Sequence, residues 1–316
     1  MKVYHNLNEF KPLKQAIATV GTFDGVHIGH QKLLKRIQEL AEKNQGESVL
    51  LTFHPHPRLV LFPEDNDLKL ITTLEERIEQ LGETGLDHLI IHPFTTEFSR
   101  TTAIEYVRDI LVKGIGVKKL VIGYDHHFGR NREGSLENLK ELAPTFNFHV
   151  EEIPAQEIKD VNVSSTKIRT ALNSGNVRMA NTYLGYIFQL KGTVVKGDEI
   201  GAKLGFPTAN IEVDNAYKII PATGVYATKV LLDGVEYNSM TNLGVRPTIH
   251  EGSELTIETH IFNFNKNIYG DTLVLKFIDR IREEVKFENT ESLKVQIEDD
   301  ARSVQKILSD LGDSAQ

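Results

Sequence analysis

A five-residue apolar run, Ala16-Ile17-Ala18-Thr19-Val20, leads directly into Gly21-Thr22-Phe23-Asp24-Gly25-Val26-His27-Ile28-Gly29-His30. Beyond it, Leu33, Leu34, Ile37 and Leu40 recur at helical spacing. This combination limits the fold more than any other stretch: a buried strand, a turn with two glycines, and a helix opening with two histidines. Residues at i and i+3 share a helix face, so His27 and His30 can point at one ligand. The free N–H groups and dipole of a helix start favour an anion there. Gly21 and Gly25 would let the backbone approach it closely. A phosphate fits these demands. A polar turn with surface histidines is the plainer reading, and histidines at this spacing also suit a metal.

Strands and helices then alternate. Ser48–Phe53 reads as a second strand after a helix ending near Asn44-Gln45-Gly46, giving a βαβ unit with a right-handed crossover. His54-Pro55-His56-Pro57 follows, which puts two histidines at a strand end, where open α/β sheets hold ligands. The alternative is a loop fixed by its prolines. Further strands are expected at 89–91, 119–122 and 148–151. Thr73/Glu76 and Thr102/Glu105 have the spacing of capping boxes ahead of helices. The alternation predicts a doubly wound parallel sheet. Gly123 to Gly134 concentrates Asp125, two histidines and two arginines at a strand end. Asp125 could hold Mg²⁺ or a ribose hydroxyl, or cap the turn. Ser164 and Ser165 are good N-caps, with Thr166, Lys167 and Arg169 beside them.

Near Ala180 to Leu190 the pattern changes to short strands, at 192–196, 224–232, 238–243, 254–261 and 272–282. Asp233-Gly234 and Gly270-Asp271 supply turns, so an antiparallel barrel or sandwich is expected. A chain of 316 residues exceeds one average core, and the change of pattern divides it into domains at 1–184 and 185–316. Gly192, Gly197 and Gly205 could present N–H groups to phosphate or form a barrel corner; there is no P-loop pattern. Thr208 and Asn210, two apart in an extended chain, offer oxygens on one side, a donor set suited to Mg²⁺. Glu258 and His260 share the opposite strand face from Ile257 and Ile261. If that face lines a site, Glu258 can take a proton from a hydroxyl; otherwise it is an ordinary exposed glutamate.

The opening motif resembles the H-x-G-H signature of the nucleotidylyltransferase superfamily. Gly21 to Gln31 is most similar to the bacterial bifunctional riboflavin kinase/FMN adenylyltransferases, or FAD synthetases. Ser164 to Arg169 resembles their S-S-T-x-I-R segment. The run from Gly123 resembles their G-x-D/N-F-x-F-G segment, with His126 where an aromatic is usual. Pro207-Thr208-Ala209-Asn210, Gly224-Val225-Tyr226-Ala227, Asn242 to Thr248, and Glu258-Thr259-His260 resemble the riboflavin kinase domain, in that order. Arg280, Arg282 and Phe287 match its closing strand, and Leu293 to Leu311 its terminal helix.

The resemblance implies an α/β nucleotidylyltransferase domain followed by a Greek-key β-barrel with a C-terminal helix. It implies riboflavin, FMN and ATP as substrates, with Mg²⁺ as cofactor. Glu258 would be the base for the ribityl hydroxyl, and Thr208 and Asn210 the Mg²⁺ ligands. Gly192, Gly197, Gly205 and Asn242 would assist in nucleotide binding. In the first domain His27 and His30 would stabilise the transferring phosphoryl group, with Lys167 and Arg169 on the leaving pyrophosphate. Gly21, Phe23, Asp24, Gly25, His56, Asp125, Ser165 and Thr166 would complete that site. Phe62, Phe128 and Tyr226 are candidates to cover the isoalloxazine, and His54 stands where the family often has an acidic residue.

Composition removes several alternatives. A formal charge of −8 disfavours a nucleic-acid binder, which needs a basic surface. With no cysteine, disulfides and thiolate catalysis are excluded. No apolar leader or membrane-length run is present, so a cytoplasmic protein without a membrane partner is expected; no feature fixes an oligomeric state. Class I aminoacyl-tRNA synthetases share His-Ile-Gly-His, but K-M-S-K-S and a basic tRNA face are missing. A non-catalytic flavin carrier would have no use for a carboxylate beside Thr208 and Asn210.

Overall fold

The computed structural model describes residues 1–64, 67–123, 129–130, 134–153, 163–197, 200–247 and 253–313. The chain divides into two compact units, Met1–Ser165 and Thr166–Gln316. The expected architecture is present in both.

In the first unit β1 (Lys2–Tyr4), β2 (Ala16–Val20), β3 (Glu47–His54), β4 (His88–Pro93), β5 (Val117–Gly123) and β6 (His149–Ile153) form a parallel sheet of order β1-β4-β3-β2-β5-β6. Every residue of β2 is buried, as a central parallel strand covered on both faces requires. Its Ile17 packs with Leu34, Ile37, Leu40 and Ala41, the apolar stripe of helix α1 (Ile28–Lys43). Ala16, Ala18 and Val20 face the opposite core with Val107, Leu111 and Ile115. The chain runs from β2 outward through β3 and β4, then returns to pair β5 on the other side of β2. Strand order therefore reverses at β2, and the crevice at such a point, beyond the carboxyl ends of the strands, is where open α/β sheets bind ligands. The glycine turn emerges there. Both expected capping boxes form, at Thr73/Glu76 and Thr102/Glu105.

In the second unit six antiparallel strands close a barrel of order β10-β11-β8-β7-β12-β9. They are β7 (Gln189–Val195), β8 (Ala209–Glu212), β9 (Gly224–Leu232), β10 (Val235–Pro247), β11 (Ser253–Ile261) and β12 (Thr272–Arg282). Asp233 and Gly234 join β9 to β10 with φ of 50° and 78°, the positive pair that a two-residue hairpin turn needs. On the inner face Thr228, Ser239, Thr241 and Thr259 are wholly buried. They bond one another, Thr228 to Ser239 at 2.8 Å, Thr228 to Thr241 at 2.7 Å and Thr241 to Thr259 at 2.8 Å. Each hydroxyl is satisfied, so its burial carries no unpaired-group penalty. On the outer face Val225, Ala227, Met240 and Ile278 pack against Ala301, Val304 and Leu308 of the terminal helix Thr290–Asp313. The helices Ser165–Asn173 and Val177–Leu184 precede β7. Asn181 of the second donates to the Phe277 carbonyl of β12 at 2.8 Å.

Candidate active sites

The β2–α1 turn is tightly wound. Phe23 (φ 50°), Gly25 (φ 85°) and Val26 (φ 35°) all occupy the left-handed region, which costs energy at the two non-glycine positions. His27 caps α1, its Nδ1 accepting the His30 N–H at 3.3 Å. The His27 and His30 rings stack at 3.6 Å, and Phe23 stacks on His30 at 4.5 Å. A Cβ on Gly29 would lie 3.2 Å from the His27 ring, so glycine there leaves that ring its place.

Packing gives a reason for glycine at 21 and 25. A Cβ at Gly21 would lie 3.0 Å from the Phe23 ring, and one at Gly25 3.0 Å from Ile71. Asp24 is turned inward, 2% exposed, and accepts the N–H groups of Ile71 and Thr72 at 3.0 and 3.1 Å. Asp24 therefore has a structural task, holding the 71–72 segment to the turn. Ser165 donates to the Asp24 carbonyl at 3.0 Å and so reaches the turn. Thr166, Lys167 and Arg169 continue the helix that Ser165 begins. His56 caps the short helix Pro57–Leu61 by accepting the Arg58 N–H at 3.2 Å, while His54 and Phe62 are exposed. Asp125 and Phe128 lie outside the described residues.

Sequence reasoning missed Arg77. It is 6% exposed, and it donates to the Thr22 carbonyl at 2.5 Å and to the Phe53 carbonyl at 3.2 Å. The His30 Nδ1 is buried with no partner among the described residues. Burial, then the charges of His27 and Arg77, holds the His30 imidazole well below its ordinary 6.5. Partial desolvation also lowers His92, and with the Arg77 charge it lowers His54. Such groups bind protons more readily in the unfolded chain, so stability is full above about 6.5 and is lost as pH falls toward the folded values. The thermal midpoint should therefore drop between about pH 7 and about pH 5. His30→Asn should flatten that slope in a calorimetric pH series, and an unchanged slope would contradict the burial of this ring.

In the barrel unit a cavity of about 320 Å³ opens on the outer face, lined by Phe206, Thr208, Asn242, Glu258 and His260. Glu258 pairs across strands with Asn242 on one side and Asn210 on the other. The Thr208 hydroxyl is 3.4 Å from its carboxylate. His260 Nδ1 bonds the Pro207 carbonyl at 2.8 Å and its ring meets Phe206 edge-on, which anchors the 206–208 segment over β11. Arg282 closes the far wall: it grips Asp300 of the terminal helix through Nε at 3.0 Å and Nη2 at 2.8 Å, and lies over Phe287. Asp300, 3% exposed, also accepts from Gln296 at 2.9 Å.

Two calls move. Gly192 sits inside β7, where a Cβ would lie 2.4 Å from the Glu212 carbonyl oxygen, so close strand packing explains it. Gly197 gives room to Asn210, whose amide nitrogen would be 2.0 Å from an added Cβ. Gly205, at φ 88°, makes the turn between the cavity residues Leu204 and Phe206. Tyr226 is wholly buried against Phe277, and its hydroxyl donates to the Ala222 carbonyl at 2.5 Å. Burial pushes its pKa up to about 12. It cannot cover a flavin ring.

A family model of FAD synthetase matches residues 10–167, and one of riboflavin kinase matches residues 184–308. The bifunctional riboflavin kinase/FMN adenylyltransferase of Listeria monocytogenes is 35% identical over 94% of both chains. That of Bacillus subtilis is 35% identical over 97% of this chain and 96% of its own. A solved structure from Streptococcus pneumoniae, described as a macrolide-efflux protein, shares the fold with TM-score 0.86 and 31% identity, over 96% of this chain and 98% of its own. The chain belongs to the bifunctional riboflavin kinase/FMN adenylyltransferase family. No helix among the described residues is long and apolar enough to cross a membrane.

Proposed function

We propose that the family's two reactions divide between these two sites, with Glu258 and the histidine pair as their respective centres. The protein phosphorylates riboflavin to FMN with ATP and adenylylates FMN to FAD, releasing pyrophosphate. The observation that carries the kinase assignment is the Glu258 carboxylate in the barrel cavity, within 3.4 Å of the Thr208 hydroxyl and across from Asn210. The riboflavin 5′-hydroxyl attacks the γ-phosphorus of ATP, its proton passes to Glu258, and ADP leaves. Phosphoryl transfer asks mainly for positioning and charge neutralisation.

Thr208 and Asn210 supply uncharged oxygens beside a carboxylate, a donor set that fits Mg²⁺. The ion, when bound, would neutralise charge on the ATP phosphates. Gly197 ties this arrangement to a specific backbone approach. Gly197→Ala should displace Asn210 and lower FMN formation by about 10²-fold at limiting Mg²⁺, since misplacement by an ångström has that scale of effect. FAD formation from supplied FMN should be unchanged. Titrating Mg²⁺ against both rates checks this, and equal kinase rates at all Mg²⁺ levels would remove Asn210 from the set.

In the first unit the FMN phosphate attacks the α-phosphorus of ATP and pyrophosphate leaves. A phosphate monoester is mostly ionised at neutral pH, so this site needs no strong base. The His27–His30 stack at the start of α1 would stabilise charge on the transferring group. Initial rates of FMN and FAD formation in single-site variants test the division.

A further inference from the structure

Arg77 lies on the helix Leu74–Gly82, whose capping box fixes its start. Its two terminal nitrogens hold carbonyls at the ends of two adjacent strands, Thr22 after β2 and Phe53 at the end of β3. The Thr22 carbonyl also accepts from the Thr52 hydroxyl at 3.3 Å. In a trans peptide the carbonyl and the following N–H point oppositely. Drawing the Thr22 carbonyl toward Arg77 therefore turns the Phe23 N–H away from it, and that N–H makes no hydrogen bond among the described residues. Phe23 holds a left-handed conformation at φ 50° and carries the ring on which His30 stacks. Such a conformation persists only where its surroundings over-determine it. Asp24, buried in the same turn, binds the two residues that precede the Arg77 helix cap, Ile71 and Thr72. Arg77 also interacts with the charge of this buried carboxylate.

We propose that Arg77 is a positioning residue for adenylyl transfer: by clamping the Thr22 and Phe53 carbonyls it sets the Thr22–Phe23 peptide and the Phe23–His30–His27 stack in the geometry the α-phosphate requires. This rests on the assignment of His27 and His30 to that phosphate. Arg77 itself touches no substrate. Its loss should therefore act on turnover more than on nucleotide binding, and a cation that keeps one carbonyl contact should restore part of it.

The test is steady-state kinetics of full-length Arg77→Met and Arg77→Lys, with rates counted per folded molecule. Arg77→Met is expected to lower kcat for FMN adenylylation by about 10²-fold, the scale of one lost preorganised donor. KM for ATP should stay within about threefold, and riboflavin phosphorylation should continue unchanged. Arg77→Lys should recover about tenfold of the loss. If Arg77→Met does not fold, an intermediate kcat in Arg77→Lys still supports the clamp, and a wild-type kcat there overturns it. A loss confined to KM, or to the amount of folded protein, also overturns it. His27→Ala protein that makes FAD at the wild-type rate would instead overturn the site assignment beneath this inference.

Discussion

His27→Ala protein should convert FMN to FAD about 10²–10³-fold more slowly, the cost of removing one preorganised group from a developing charge. It should phosphorylate riboflavin at the wild-type rate. The loss has two separable parts. His27 also caps α1 through its Nδ1, and losing a cap costs about 1 kcal/mol of stability. His27→Asn keeps a capping side chain, so it should regain most of the thermal midpoint and none of the activity. Initial rates of both reactions, read beside calorimetry of both variants, distinguish the roles. Recovery of FAD formation in His27→Asn would reduce His27 to a helix cap.

Glu258→Gln should leave a side chain of nearly the same volume in the cavity, still able to face Thr208, but with no capacity to accept the proton. FMN formation should fall by about 10²–10⁴-fold, the range for loss of a general base. The fall should appear in kcat with little change in KM for riboflavin, because the cavity walls are untouched. FAD formation from supplied FMN should be unaffected. A kinase rate within a factor of a few of wild type would show that Glu258 only orients its neighbours.

The parts of the sites that were legible in the sequence are those built from consecutive residues. Strand, glycine turn and histidine-bearing helix are one local pattern, and so is the alternation that puts Glu258 and His260 on one face of β11. Which face that was depends on the terminal helix and the 201–208 segment, which close the cavity from far along the chain. Long-range partners were invisible for the same reason. Asp24 carries the right chemistry for a ligand, yet it accepts from amides 47 and 48 positions away, which no local pattern shows. Arg77 reads as an ordinary helix residue until the strand ends that it joins are in place. Glycines are ambiguous in sequence because a turn and a close strand contact demand the same absent side chain; Gly192 makes a close strand contact. Tyr226 belongs to a run of buried residues in β9 whose inward and outward members look alike in sequence. The strands β1 and β8, three and four residues long, offer too few alternations for a period to show.

The division of two chemistries between two units is tested most directly by flavin chromatography of His27→Ala and Glu258→Gln, each given ATP and Mg²⁺ with either riboflavin or FMN. The expected pattern is crossed. His27→Ala accumulates FMN from riboflavin and makes FAD from either flavin about 10²–10³-fold more slowly than the wild type. Glu258→Gln makes FAD from FMN at the wild-type rate and either product from riboflavin about 10²–10⁴-fold more slowly. A folded variant that loses both reactions, or a Glu258→Gln protein that converts riboflavin to FAD at the wild-type rate, would contradict the assignment of one reaction to each site.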